Sequence, residues 1–315
     1  MNAMTPSLPP GLSHELETVP NVAAVQQVGV VGLGRMGLAF AQNLITDGYQ
    51  TIVYSRSGKN LATLKTRGTT VAAGWGDLAQ CSIVISMVAD DDAAESVAES
   101  LANVLPTSAI HISMSTISPG ASRRIARLHN HLGQGYVAAP VLGSPDLAAS
   151  RELFVLAAGT QDYLACSLPI LNRLGKRTFL LGNVPELANT VKLAANVLTA
   201  STMQSMGEVF AFLQKAGIEP EVAFTVFTGS LFDGKVHKAY GGRIAEQRYL
   251  PPGMTTRLGL KDLRLALVEA ETVLAPMPVA SVVRDRMLAA IARGWGDLDW
   301  SALGKLAQFS AGIES

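Results

Sequence analysis

Cysteine is almost missing from this sequence: Cys81 and Cys166 are the only two in 315 residues. That excludes a disulfide framework and a cysteine-built zinc site, and it points to a reducing, intracellular setting. Charge is scarce as well. There are 25 basic and 25 acidic residues, a charged fraction of 16% and a formal net charge of zero. Such a balance excludes the basic footprint of a nucleic-acid binder or of an anionic-membrane binder. No run of about 18 apolar residues occurs, which excludes a membrane-spanning helix. Residues 1–26 carry Pro6, Pro9, Pro10, Gly11 and Pro20 but no apolar core flanked by positive charge, so they read as a loose tail, not a signal peptide. A cytoplasmic location is the expectation. No solenoid-period repeat and no low-complexity tract is visible.

What the chain does have is a hydrophobic content of 48%, too high for disorder as the main state. Its length suggests two domains at roughly 150 residues each. From Gln27 onward, short apolar runs alternate with helical periodicity. Strands are predicted at Gln27–Gly32, Gln50–Tyr54, Ser82–Met87, Ala109–Ile112, Gly135–Ala138, Leu153–Ala158 and Arg177–Leu181. Helices are predicted at Met36–Gly48, Asp92–Leu105 and Ser122–Leu132. Strands alternating with helices predict an α/β, doubly wound parallel sheet with helices on both faces. Beyond Gly182 the strands stop. Leu187–Ala216 reads as one long apolar helix interrupted only by Gly207. Further helices are predicted at Glu221–Phe227, Gly259–Ala275, Val279–Gly294 and Ser301–Phe309, with Pro251-Pro252-Gly253 and Pro276–Pro278 as separators. The expected organisation is a tail (1–26), a dinucleotide-binding domain (27–186) and an all-helical domain (187–315) joined by the long helix.

The word Gly32-Leu33-Gly34-Arg35-Met36-Gly37 fits G-x-G-x-x-G, and it ends a predicted strand and opens a predicted helix. In that context the first glycine serves the tight turn, the second lets a pyrophosphate approach the backbone, and the third lets helix and strand pack. The helix N-terminus adds unpaired N–H groups and a positive dipole end. An NAD site expects a carboxylate at the end of the second strand, to bond the ribose 2′-hydroxyl. Here that stretch is Tyr54-Ser55-Arg56-Ser57 with Lys59 close behind, and no acid. A guanidinium, two hydroxyls and an ammonium suit a 2′-phosphate, so NADP is expected over NAD.

Lys192 and Asn196 are four residues apart and share one face of the long helix, among Val191, Leu193, Ala194, Ala195, Val197 and Leu198. Burial lowers the pKa of a lysine and fits it for proton exchange near neutral pH. On these grounds alone a lysine on a helix flank is equally well a surface residue.

Five words occur in order: GLGRMG, SMSTISP (Ser113–Pro119), APVLGS (Ala139–Ser144), ANTVKLAAN (Ala188–Asn196) and LKDL (Leu260–Leu263). Together they resemble the β-hydroxyacid dehydrogenase family, which includes 3-hydroxyisobutyrate dehydrogenase and tartronate semialdehyde reductase, over nearly all of the chain after the tail. The resemblance implies a Rossmann domain of the 6-phosphogluconate dehydrogenase type followed by a helical domain, in a homodimer or homotetramer. It implies that Lys192 is catalytic and that Asn196 binds substrate beside it. Ser115 and Thr116 would sit by the substrate, and Thr116 also by the nicotinamide. Leu142, Gly143 and Ser144 would offer backbone N–H groups to a substrate carboxylate. Met87 and Val88 would line the cofactor, and Lys261 would reach it from the helical domain.

The sequence departs from the family pattern in two places. Ala138-Ala139-Pro140-Val141-Leu142-Gly143-Ser144 stands where many members have D-A-P-V-S-G-G, which makes the loop less hydrophilic and favours a short substrate with an apolar substituent. Glu186-Leu187-Ala188-Asn189 replaces G-x-G-N and is closer to imine reductase-like variants, although those generally lack the lysine. The expected function is therefore hydride transfer between NADP and a small hydroxyacid or aldehyde acid. The alternatives are an imine reductase-like enzyme of the same fold and a non-catalytic NADP-binding module. No metal is expected. Asp90-Asp91-Asp92 reads as negative charge at a helix start, and His111, His129, His131 and His237 have no ligand spacing. Phe232-Asp233-Gly234-Lys235 reads either as a border of the substrate cleft or, equally well, as a turn, and Trp295 and Trp300 read as packing residues.

Overall fold

The computed structural model describes residues 27–58, 60–65 and 69–313. The tail at 1–26 and Lys59 lie outside the described residues. The chain divides into two compact units, Met1–Lys192 and Leu193–Ser315.

In the first unit, β1 (Gln27–Val31), β2 (Gln50–Tyr54), β3 (Thr70–Val71), β4 (Ile83–Ser86), β5 (Ile110–Ser113) and β6 (Gly135–Ala138) form a six-stranded sheet in the order β3-β2-β1-β4-β5-β6. Every pairing in it is parallel. The strands read as continuous apolar runs because both faces are covered: all residues of β4, β5 and β6 are buried. The helices between them are α1 (Arg35–Thr46), the short α2 (Leu61–Lys65), α3 (Asp91–Ala102) and α4 (Pro119–His131). Strand order reverses between β1 and β4, and in open α/β sheets ligands bind beyond the carboxyl ends of the strands at such a switch point.

Not every predicted strand joins this parallel sheet. β7 (Val141–Leu142), β8 (Phe154–Ala157) and β9 (Arg177–Leu180) form a separate three-stranded sheet, with β7 antiparallel to β8 and β8 parallel to β9. The cause lies at the end of β6. Ala138 and Ala158 exchange both backbone hydrogen bonds as an antiparallel bridge, at 3.0 and 2.9 Å. Pro140 then has no N–H to continue a ladder. Two more helices belong to the unit, the short α5 (Pro145–Ala149) and the 14-residue α6 (Gln161–Leu174), the latter with Pro169 inside it.

The second unit is all helix among the described residues. α7 (Glu186–Lys215) begins in the first unit and belongs to the second from Leu193 onward; α8 (Pro220–Thr228), α9 (Lys235–Ala245), α10 (Thr256–Thr272), α11 (Pro278–Ala292) and α12 (Ala302–Ser310) complete it. Its core packs Leu193, Met203, Phe210, Leu263, Met287 and Trp300. Gly207 is the contact point of α7 with α12: a Cβ there would lie 2.6 Å from the Cα of Gly304. No helix among the described residues is long and apolar enough to cross a membrane.

Candidate functional site

The glycine word closes β1 and opens α1, and its three glycines are required for three different reasons. Gly32 has φ +89°, and a Cβ there would sit 2.3 Å from the Met87 carbonyl oxygen. A Cβ on Gly37 would sit 1.9 Å from the Gly32 carbonyl oxygen, so this glycine sets how closely helix meets turn. Gly34 is different: its φ is −65°, and nothing lies within 4 Å of a Cβ placed on it. It caps α1 without any side-chain hydrogen bond to the first turn. The first-turn N–H groups therefore face a space that only an absent Cβ keeps open, as an anion at a helix N-terminus needs. Leu33 is buried, Met36 half-buried, and Arg35 exposed.

The end of β2 borders the same turn. Gly32 donates its N–H to the Tyr54 carbonyl at 3.1 Å, and the Asn60 amide donates to the Leu33 carbonyl at 2.7 Å. Ser55 and Ser57 bring their hydroxyls within 3.5 Å of each other, with Arg56 exposed between them. A phosphate on this turn would find hydroxyl and guanidinium donors from Ser55, Arg56 and Ser57 and no carboxylate. The residues present thus fit a phosphorylated dinucleotide.

The ends of β4 and β5 form the opposite wall. Met87 donates its N–H to the Val31 carbonyl at 2.9 Å. The next amide, Val88, donates to the Ser115 hydroxyl at 2.8 Å, and Ser115 is fully buried. Ser115 thus ties the β4 end to the β5 loop, while its neighbour Thr116 is half-buried. The triple aspartate is spent on helix starts. Asp90 caps α3 by accepting the Ala93 N–H at 2.9 Å, and Asp91 accepts the Ser118 N–H at 2.9 Å and the Ser118 hydroxyl at 2.5 Å.

The Leu142–Ser144 loop is a tight one. Gly143 has φ +140°, and a Cβ there would meet Leu153 Cδ2 at 2.5 Å. Ser144 caps α5, accepting the Leu147 N–H at 3.4 Å. Leu142 is half-buried and packs on an apolar cluster that contains Ile117, Ala138 and Ala188, as does Val88. The loop's one large side chain is therefore held by apolar neighbours.

On α7, Glu186 pairs with Arg123 of α4 at 3.0 Å, anchoring the helix start. Lys192 is 9% exposed and Asn196 6%. In the second unit the Asn196 amide donates to Asp262 Oδ2 at 2.6 Å, and Lys261 Nζ lies 3.1 Å from Asp262 Oδ1. The structure thus joins two residues expected at the site, Asn196 and Lys261, through a third that sequence reasoning passed over. Asp262, 2% exposed, was within the L-K-D-L word, and a carboxylate in the run Leu258–Leu267 was the signal that could have found it. Asn189 is a second such residue. It is fully buried, and neither amide atom has a hydrogen-bond partner among the described residues. Buried amides are nearly always paired, so this one, one turn before Lys192, stands out as a group whose bonding the described residues leave open.

Comparison with known proteins adds to this geometry. Residues 27–182 match the family model described as the NAD binding domain of 6-phosphogluconate dehydrogenase, and residues 187–307 match that described as NAD-binding of NADP-dependent 3-hydroxyisobutyrate dehydrogenase. An uncharacterized oxidoreductase of Bacillus subtilis, YfjR, is 38% identical over 88% of this chain and 98% of its own length. Glyoxylate/succinic semialdehyde reductase 1 of Arabidopsis thaliana is 31% identical over 90% of this chain and 99% of its own. Among solved structures, 3-hydroxyisobutyrate dehydrogenase from Salmonella typhimurium superposes with a TM-score of 0.81 at 25% identity, covering 89% of this chain and 99% of that one.

Proposed function

Because the chain belongs to the β-hydroxyacid dehydrogenase family, we propose that it is an NADP-dependent reductase of small aldehyde acids in which Lys192 handles the proton. When bound, the nicotinamide supplies or takes the hydride at the carbon that bears the oxygen. Gly32–Gly37 would hold the pyrophosphate, Ser55, Arg56 and Ser57 the 2′-phosphate, and Met87 and Val88 the wall beside them. Lys192 Nζ gives a proton to the carbonyl oxygen in reduction and takes it back in oxidation, a role worth about 10²–10⁴ in rate. Thr116 orients that oxygen, and Ser115 acts from behind by holding the Val88 amide. Asn196, a helical turn beyond Lys192, is itself held by Asp262.

The observation that carries the proposal is the buried Lys192 on a helix whose neighbouring amide, Asn189, is buried with no partner among the described residues. A substrate oxygen or hydroxyl would satisfy that amide. Backbone N–H groups at Leu142, Gly143 and Ser144 would take the carboxylate. The Leu142 side chain favours a short substrate with an apolar substituent over a highly hydroxylated one. Lys261 is assigned to the cofactor on the resemblance alone.

The test is oxidation of NADPH and of NADH with glyoxylate, succinic semialdehyde and cyclic imines, on wild type and Lys192→Ala. The expected result is turnover of an aldehyde acid with NADPH preferred, and a loss of about a hundredfold or more in kcat in the mutant. Imine turnover indifferent to Lys192→Ala would move the chain to the imine reductase-like alternative. Tight NADPH binding without turnover of any of these would favour a binding module.

A further inference from the structure

Four buried polar side chains outside the site form one hydrogen-bonded line through the first unit. Ser86, the last residue of β4, meets His111 Nε2 of β5 at 2.8 Å. His111 Nδ1 meets His129 Nε2 of α4 at 2.9 Å, and His129 Nδ1 meets Gln134 Oε1 at 2.8 Å. Gln134 Nε2 donates to the Ala102 and Leu105 carbonyls at 3.1 and 2.8 Å. Ser86 and His129 are fully buried, His111 is 1% exposed and Gln134 2%.

The line has a direction, and it can be deduced. Both hydrogens of the Gln134 amide are engaged by carbonyls, so its oxygen can only accept. His129 must therefore carry its hydrogen on Nδ1 and accept at Nε2. His111 must then donate from Nδ1 and accept at Nε2, which leaves Ser86 as the donor at the far end. With Ser86 as that donor, both rings are neutral. A proton added to either ring turns His111 Nε2 into a donor facing Ser86, and the buried serine hydrogen must then find another acceptor.

The serine end matters because Met87 is its neighbour in the chain. The Met87 N–H bonds Val31, and its carbonyl oxygen occupies the spot a Cβ on Gly32 would need. We propose that His111 and His129 are positioning residues for the nicotinamide cofactor, holding the β4 end against the glycine turn through a hydrogen-bond line in which Ser86 is the donor only while both imidazoles are uncharged. This rests on the dinucleotide assignment of that turn.

The surroundings agree. Burial holds His111 well below the ordinary histidine range, with His129 adding to the effect, and burial also lowers His129 against the opposing bond to Gln134. On β6, Tyr136 lies edge-on to His111 and stacked with His129, and burial pushes its phenol up to about 12. Glu186, which acts on Tyr136 from α7, is paired with Arg123. On α3, Asp91 bonds Ser118 and Glu95 bonds Arg124, while Asp92 and Glu99 are exposed, as are Arg127 and His131 on α4. The bonds to both rings come from Ser86, Gln134 and each other, and none from a carboxylate among the described residues.

The experiment has two arms. Nitrogen-15 NMR of the apoprotein at pH 7.5, assigned with single variants, should show His111 and His129 both as the Nδ1–H tautomer; an Nε2–H tautomer at either ring overturns the proposal. Fluorescence titration with NADPH and with NADH from pH 7.5 to 4.5 should show wild-type affinity flat while the pH stays above the lowered histidine values and falling by about tenfold or more at the acid end, since one linked proton can cost up to about tenfold per pH unit below them. In His111→Gln/His129→Gln, each amide can accept on one side and donate on the other without titrating. That variant should bind within about threefold of wild type at pH 7.5 and lose less than about threefold on acidification beyond what the cofactor's own phosphate, with a pKa near 6, accounts for. A pH response shared equally by wild type and variant overturns the positioning role alone. Failure of both dinucleotides to bind at pH 7.5 overturns the cofactor assignment and this role with it.

Discussion

Gly34→Ala separates the binding role of the glycine turn from its folding role. The backbone at Gly34 has an ordinary φ of −65°, and a Cβ would meet nothing within 4 Å. Two small effects then oppose each other in the unliganded protein. Alanine is a poorer helix N-cap than glycine, and it removes about 0.4–1 kcal/mol of unfolded-chain entropy that glycine would lose on folding. The net change stays within about 1 kcal/mol, a Tm shift below roughly 4 °C for a unit of this size. Binding responds differently, because the methyl group fills the space in front of the first-turn N–H groups. Two displaced charge-assisted bonds at about 1.5–3 kcal/mol each weaken NADPH by at least about a hundredfold. Gly37→Ala supplies the contrast. Its Cβ would lie 1.9 Å from the Gly32 carbonyl oxygen, a backbone atom that cannot step aside. We expect a cost of about 3 kcal/mol or more and a Tm lower by more than roughly 6 °C. Thermal denaturation of the apoproteins and fluorescence titration with NADPH read both quantities. If Gly34→Ala keeps wild-type stability and binds NADPH within threefold of wild type, the open space is not the pyrophosphate seat and the cofactor assignment built on it fails.

Arg56→Ala should weaken NADPH by about 10–100-fold while changing NADH by less than about threefold, since one charge-assisted bond to a 2′-phosphate is at stake; equal loss for both dinucleotides would refute the NADP preference. Asp262→Ala leaves the Asn196 amide without the acceptor it now has at 2.6 Å. That should destabilise the second unit by about 1–3 kcal/mol, seen as a lower urea midpoint, and reduce kcat/KM where Asp262→Asn reduces it less. The histidine line also sets the acid limit of stability. Both pKa values are lowered in the folded chain, so the unfolded chain takes up protons first, near pH 6.5. Stability is then intact above that pH and falls as the pH drops toward the folded values. The slope is up to about 2.7 kcal/mol per pH unit if both rings count, and the double glutamine variant, followed by urea denaturation between pH 5 and 8, should flatten it.

What the sequence made legible was local. The strand, glycine turn and helix at Gln27–Thr46 occupy consecutive residues, and their periods of two and 3.6 can be counted without knowing any partner. β3 and β7 have two residues each, too few to carry a period. α6 carries Pro169, which sequence reasoning treats as a breaker. The second sheet was hidden for another reason. Its strands were visible, but the Ala138–Ala158 bridge that turns them out of the main sheet joins residues far apart in the chain. At the site, Ser115 and Thr116 both stood out as hydroxyls. Which of them is turned inward onto Val88 depends on a neighbouring strand that the sequence does not name.

Periodicity counts apolar positions and treats a polar residue in the stripe as noise, yet the physics runs the other way. A polar group taken out of water costs several kcal/mol unless something pairs with it, so each one found in an apolar run demands a partner or a ligand. His111 stands in Ala109–Met114, Asn189 in Glu186–Val191 and Asp262 in Leu258–Leu267. The first is answered by Ser86 and His129 and the third by Asn196, whereas the second has no answer among the described residues. Those two answered groups are where the chain fixes geometry, at the β4 end and beside Asn196. The unanswered one is where a bound molecule would complete the bonding. Asn189→Leu, which removes the need for a partner while keeping the volume, should therefore leave the apoprotein at least as stable as wild type in thermal denaturation while raising KM for the aldehyde acid. A clear loss of stability with KM unchanged would show that the amide is satisfied from within the fold after all.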